Sequence, residues 1–455
     1  MHPFTAKQRQ IYEAVKGAPD GPFDIERPAM FSPAAAAQDE QNGKGGHGQW
    51  AAMFLPTEFT DWVEESRAHV ESCYVGDWSA LSQLVIRGPE ALPFLQWLGM
   101  ANLASFEIGR LKHHVQLDDQ GRVASEGVLG RTGEEDFLFT AGSTEWLVWQ
   151  LERSTFDADV ADVTPERFII GVQGPRSLDV LERVAGQSLR DIAFSRSCAV
   201  ALDGIPVRVL RTGISGELGY ELHGPAEHAN AVWAAIRDHG ADFGIRQLGL
   251  RAQGVQHIEA GIATNGRDYL AASIGTPGAP KLFRRRSLGG SFVASSVEDY
   301  FRTPGELNWT PRSGRLPGHD FLGRDALAAD AAEGGPHRRL VGLVWEPQDV
   351  VGVFAALFGD GEVPDQMDLP RRSGGTAFDQ VLVAGEPRGV SSGRTVSANL
   401  RAMISLCVLD RAVAEADTAV TVLWGRPGTD QREIRARVVE LPFKLDRRRG
   451  DAPSA

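Results

Sequence analysis

The residues best equipped for chemistry lie between Leu210 and Gly261. The stretch "LRTGISGELGYELHGP" (Leu210–Pro225) closes on Gly219-Tyr220-Glu221-Leu222 after a glycine-rich turn. The alternation there predicts a strand with Tyr220 and Leu222 on one face and Glu221 and His223 on the other. A carboxylate fixed on a strand can accept two parallel N–H bonds, the geometry that makes forked pairs strong. Glu221 therefore suits a flat heterocycle with an amino group beside a ring N–H, and the nearby glycines let such a ring approach the backbone. Glu217 is the second candidate, with the N–H groups of its own turn as its structural alternative. Next comes "LGLRAQGVQHIEAG" (Leu248–Gly261), read as a polar insertion that supplies Arg251, Gln253, Gln256 and His257. Histidine can move a proton near neutral pH. Glutamine can donate a hydrogen bond but cannot transfer a proton.

Other residues extend the set. Glu126, in "ASEGVL", stands beside Ser125, with a satisfied turn carboxylate as its bland reading. Trp78 offers a ring for stacking on an aromatic ligand, against simple core packing. His113 and His114 are adjacent in a segment that reads as a strand, so their rings point to opposite faces and cannot chelate one ion. No metal is expected, and one ring of the pair, taken here as His114, is expected to meet a substrate carboxylate. Arg284, Arg285 and Arg286 read as a solvated loop, with a polyanionic ligand tail as the alternative. Cys73, Cys198 and Cys407 show no zinc or redox spacing and are expected to be reduced.

These side chains need elements to hold them. A helix is expected from Thr5 to about Lys16, and another over Pro89–Gly99 with Leu92, Leu95 and Leu98 on one edge. Leu111–Gly142 reads as three short strands. The pattern restarts with a strand over Arg167–Gly174, a helix over Pro175–Val184 and a helix over Ala226–His239. Such recurrence suggests two α+β units of ferredoxin-like type. From Arg338 to Phe443, β-branched runs with glycine turns suggest a small antiparallel β-barrel. The expected division is 1–52, an N-terminal extension; 53–165 and 166–336, the two α+β regions; and 337–445, the barrel. Within the extension, Ser32–Gln49 reads as a mobile loop, a lid or a disordered segment. The basic tail "KLDRRRGDAPSA" is expected to fray.

At 455 residues the chain is too long for a single core. A net charge of −13 argues against a nucleic-acid or anionic-membrane surface, because phosphate binding needs clustered positive charge. No phosphate loop or dinucleotide fingerprint is evident, so NAD, FAD and ATP are not implied. The first residues lack a signal-peptide pattern and no apolar run reaches membrane-spanning length, which predicts a cytoplasmic protein.

Longer phrases carry a family resemblance. "GPEALPFLQWLGMANL" (Gly88–Leu103), "QGRVASEGVL" (Gln120–Leu129), "VQGPRSLDVLERVAG" (Val172–Gly186), the two stretches above, "SSGRTVSANLRAMISLCVLD" (Ser391–Asp410) and "ARVVELPF" (Ala436–Phe443) follow one another in family order. In them the chain resembles the glycine-cleavage T-protein (aminomethyltransferase) family, and within it the branch that removes methyl groups to tetrahydrofolate. The resemblance implies two ferredoxin-like α+β domains plus a C-terminal antiparallel β-barrel, with tetrahydrofolate as cofactor. It makes Glu221 the pterin anchor, with Glu217, Tyr220 and Arg251 beside it. Arg251 matches a recurrent arginine that orients the glutamates or meets the folate tail, a structural ion pair being the alternative.

The resemblance also carries departures. Ser125 and Glu126 stand where T-proteins have two aspartates. Related aromatic O-demethylases carry tyrosine where this chain has Gln253, and a histidine in the segment that here holds Trp78. Catalysis is therefore expected from His257, Gln253 and Glu126, and substrate contacts from Trp78, Gln256 and His114. The expected reaction moves a methyl group from an aromatic methyl ether to N5 of tetrahydrofolate, giving a phenol and 5-methyltetrahydrofolate. A methoxybenzoate with an electron-poor ring fits best, because a more acidic phenol leaves more easily. The alternatives are a glycine-cleavage aminomethyltransferase with a lipoyl carrier protein, and a non-catalytic folate-binding assembly factor. Ser125 and "ATNGRD" (Ala263–Asp268) weigh against the first, and the absence of a "KGCYxGQE" phrase against the second.

Overall fold

The computed structural model describes residues 3–16, 30–279, 288–310, 316–371 and 376–450. Arg284, Arg285 and Arg286 lie outside the described residues. The core of the largest unit is a six-stranded sheet in the order 197–202, 205–210, 219–225, 167–173, 73–77, 245–248. Helices Ser177–Ala185 and Ala229–Gly240 cover one face, burying Leu178, Leu181 and Val184 from the first and Val232, Trp233 and Ile236 from the second. Their spacing of three and four residues is what places each set on one helical edge.

This sheet corrects the expected boundary at residue 165. Strand Cys73–Asp77 belongs to the six-stranded sheet, antiparallel to Arg167–Gln173 and parallel to Ile245–Leu248. A separate five-stranded sheet, in the order 111–117, 123–131, 136–141, 82–87, 159–162, is inserted between strand Cys73–Asp77 and the rest of its own sheet. The two units interleave because strand pairing follows register and packing, not sequence order. The third unit is a closed six-stranded barrel, 338–345, 402–410, 386–397, 379–383, 419–424, 432–439.

Three local expectations also change. Leu250–Glu259 is a helix, not an insertion loop. Ser32–Gln49 is built into the fold: Ala34 and Ala37 pack in the main core beside Phe59 and Trp233. Gln38 Nε2 donates to Asp77 at 2.6 Å, and the Ser32 hydroxyl donates to the same carboxylate. The tail is held as far as Gly450, since Lys444 Nζ meets Glu217 at 2.7 Å and the Arg447 N–H donates to the Gly216 carbonyl at 2.8 Å.

Candidate active site

A cavity of about 1980 Å³ opens among the two sheets, helix Leu250–Glu259 and the barrel. Single-ligand sites usually span roughly 300–1,000 Å³, so two ligands fit side by side. Strand Gly219–Pro225 builds one wall. Its alternation sends Tyr220 and Leu222 into the core and leaves Glu221 on the cavity side. Register places Gly76, Gly171 and Glu221 in one cross-strand row. The two glycines leave a bare patch, and the indole of Trp78 lies over it. A Cβ on Gly76 would stand 2.2 Å from Trp78 Cζ3, and one on Gly171 would stand 3.3 Å from the same ring. Tyr74 stacks on Trp78 with centroids 5.9 Å apart. Among the described residues, the hydrogen-bond partner of Glu221 is His223 Nε2 at 3.4 Å. Burial pushes the His223 pKa down, so the neutral ring can give Glu221 one N–H and leaves most of its acceptor capacity for a ligand.

The second wall is helix Leu250–Glu259, which turns Leu250, Arg251, Gly254, His257 and Ile258 to the cavity. These positions are three and four apart, one face of a helix. His257 Nε2 lies 3.4 Å from Asp268 Oδ2. Asp268 is fixed by the Thr264 N–H at 2.8 Å and the Ser392 hydroxyl at 3.0 Å. Arg251 pairs with Glu58 at 3.1 Å and donates to the Pro370 carbonyl at 3.1 Å. It is thus joined to Glu58 and not to Glu221.

The third wall comes from the five-stranded sheet. Glu126 lines the cavity and its Oε2 lies 2.9 Å from His113 Nε2. Trp309 closes the wall, its ring perpendicular to that of His113 with centroids 4.9 Å apart. Cations ring the cavity in an otherwise acidic protein: Arg110, Lys112, Arg371, Arg394, Arg448 and Arg449 all line it.

Five expected site residues lie elsewhere. Tyr220 is fully buried in the core on the far face of its strand. Glu217 is buried under Lys444 and Arg447, where it ties the tail to the glycine-rich turn. Gln253 and Gln256 fall on the faces of their helix turned from the cavity: Gln253 borders a small gap with Gln38 and Asp77, and Gln256 is fully buried. His114 points into the core, donating to the Leu95 carbonyl at 2.8 Å, with burial pushing its pKa down to about 4. The cavity-facing ring of the pair is His113. Asp268, Trp309 and the tail arginines were not anticipated. Only the acidic end of "ATNGRD" offered a signal for any of them.

Among the described residues, no group of three or more His, Cys, Asp or Glu is arranged to hold a metal ion. No helix among them is long and apolar enough to cross a membrane.

Comparison with known proteins agrees with this architecture. The GCVT N-terminal domain matches residues 23–273. The chain is 34% identical to a sesamin methylene transferase of Sinomonas sp. over 86% of its own length and 90% of that protein. It is 29% identical to a syringate O-demethylase of Sphingobium sp. over 88% and 92%. Its fold matches the glycine cleavage system aminomethyltransferase T of Bartonella henselae with a TM-score of 0.69 at 19% identity, covering 92% of this chain and 99% of that one. With more than half its length in the family domain and all three units of the fold in place, the chain belongs to the GCVT family and is a transferase of the glycine-cleavage T-protein type.

Proposed function

We propose that the protein moves a methyl group from an aromatic methyl ether to N5 of tetrahydrofolate, releasing a phenol and 5-methyltetrahydrofolate. The observation that carries this reading is the Glu221 wall, a carboxylate with open acceptor sites beside a glycine-floored indole. A reduced pterin fits that wall: its amino and ring N–H edge suits the carboxylate fork, and Trp78 offers a flat neighbour. When bound, tetrahydrofolate supplies the nucleophilic nitrogen that accepts the methyl group. Holding both ligands in one cavity replaces an encounter with an oriented contact, which can lower a barrier by about 7–11 kcal/mol. The exchange takes one proton from the reduced pterin and gives one to the departing oxygen, so it needs two proton-handling groups. His257 with Asp268 is one, and Glu126 belongs to the other. Arg251 holds its helix against Glu58. The cationic rim suits the carboxylates of a folate tail and of a methoxybenzoate. With Gln253 turned from the cavity, preference among aryl rings rests with whatever group meets the leaving oxygen.

The similarity to a syringate O-demethylase supports an ether as donor. A second reading, transfer of a methylene unit, is supported by the 34% identity to a protein named for that activity. Both readings fit a cytoplasmic protein with reduced thiols and small-molecule partners. The test is anaerobic incubation with tetrahydrofolate and a panel of methoxybenzoates, with and without ring halogens, and of methylenedioxybenzoates, with mass detection of the folate product. A methyl adduct is expected. A methylene adduct with methylenedioxybenzoates alone would favour the second reading, and no adduct from any ether would overturn both.

A further inference from the structure

The cavity wall holds an imidazole that the reading above leaves unused. His113 is 45% exposed, whereas the side chain of His257 is 5% exposed. The Nε2 of His113 lies 2.9 Å from Glu126, and its ring stands at 88° to that of Trp309. Trp309 is itself braced by Tyr269, with centroids 6.0 Å apart. Leu111, Val128 and Leu307 line the cavity around this pair. Apolar and aromatic side chains thus accompany the imidazole–carboxylate pair, with Lys112 and Asn308 on the same stretch of lining. The Glu221 wall, in contrast, is a carboxylate beside a glycine floor.

We propose that this wall is the subsite for the aryl ring of the ether, and that His113, held by Glu126, is the catalytic residue that protonates the departing aryl oxygen. The inference rests on the demethylase reading. Glu126 on Nε2 fixes the ring and leaves Nδ1 as the atom that carries a proton to the substrate. In the transfer, the bond between aryl oxygen and methyl carbon breaks and its electron pair stays on oxygen. That oxygen takes the Nδ1 proton of His113. The methyl carbon bonds to N5 of tetrahydrofolate, whose displaced proton passes through the His257–Asp268 pair to water, and His113 recovers its proton from water. A tyrosine-like phenol has a pKa of about 10, so its oxide is a poor leaving group without such a donor.

The test compares the wild type with His113→Asn and His113→Gln on 4-methoxybenzoate and on 3,5-dichloro-4-methoxybenzoate. General acid catalysis is worth roughly 10²–10⁴-fold, so kcat/KM should fall at least about 100-fold for the first ether. For the chlorinated ether, whose oxide leaves more readily, the fall should stay under about 10-fold. Glu126→Gln, which keeps the ring in place, should give a smaller loss with the same bias. Equal losses on both ethers would overturn the assignment. A readout without folate is calorimetric binding of 4-nitrophenol and 4-nitroanisole. The wild type should favour the phenol, and His113→Asn should cut that preference about tenfold; an unchanged preference would overturn it. If no ether yields a folate adduct while the phenol preference still depends on His113, the demethylase reading fails and the aryl subsite stands.

Discussion

Two walls of one cavity each present a carboxylate, and each treats it differently. On the six-stranded sheet Glu221 looks along a row of glycines and, among the described residues, makes a long contact to His223 at 3.4 Å. On the five-stranded sheet Glu126 is engaged by His113 at 2.9 Å and flanked by Trp309. The first carboxylate still has hydrogen bonds to accept. The second is committed to an imidazole. Recognition of a heterocycle and handling of a proton are thereby kept on separate walls, so each can be altered without the other.

The sharpest test of that separation is Glu221→Gln. Losing a charged fork of two bonds should cost about 3 kcal/mol, on the order of a 100-fold weaker tetrahydrofolate affinity by calorimetry. Glu126→Gln should leave the same affinity within about 3-fold, and the reverse pattern would exchange the roles of the two walls. Next in size is a pH effect from the core side of the His113 strand. His114 has its pKa lowered by burial to about 4. A base so lowered contributes stability that is complete above its ordinary value of about 6.5 and is lost as pH falls toward the folded value. Urea unfolding at pH 7 and pH 4.5 should differ by about 2 kcal/mol more in the wild type than in His114→Gln.

Gly76→Ala probes the floor. Its Cβ would meet Trp78 at 2.2 Å, so the indole must shift, with about a 10-fold loss of tetrahydrofolate affinity and a changed tryptophan emission. Gly352→Ala, where nothing lies within 4 Å, should change neither. The smallest effect is expected at Gln253→Leu, whose side chain faces away from the cavity. Its kcat/KM should stay within about 3-fold of wild type, and a larger loss would return Gln253 to the site.

What was legible in the sequence was periodicity within single elements. Alternation in Gly219–Pro225 placed Glu221 and Tyr220 on opposite faces, and the structure keeps them there. Naming both as cofactor contacts ignored the consequence of that alternation. The barrel was readable because β-branched runs punctuated by glycine turns fill the stretch from Arg338 to Phe443. Helix Leu250–Glu259 was not, because Arg251, Gln253, Gln256, His257 and Glu259 are all buried and hide the usual contrast between an apolar and a polar face. Once the helix is known, positions 251, 254 and 257 fall on the cavity side and 253 and 256 do not. Alternation also said that His113 and His114 part company, but not which ring takes the cavity. That is set by Leu95, whose carbonyl receives the His114 ring. Pairings between distant segments left no local trace: Gly76 beside Gly171, and Glu217 beside Lys444, are contacts across long stretches of chain.

The Glu217–Lys444 contact spans 227 residues, which gives the cavity a position in the order of synthesis. While the chain is being made, the glycine-rich turn emerges with a carboxylate destined for burial and no cation to meet it. Lys444 and Arg447 arrive only after the barrel has been translated. The part of the cavity lining supplied by Arg448 and Arg449 is therefore present only after the segment beyond the barrel has been made. A proteolytic cut just beyond Phe443 would remove Arg448 and Arg449 from the cavity and uncover Glu217, while every strand of both sheets and the barrel stayed in place.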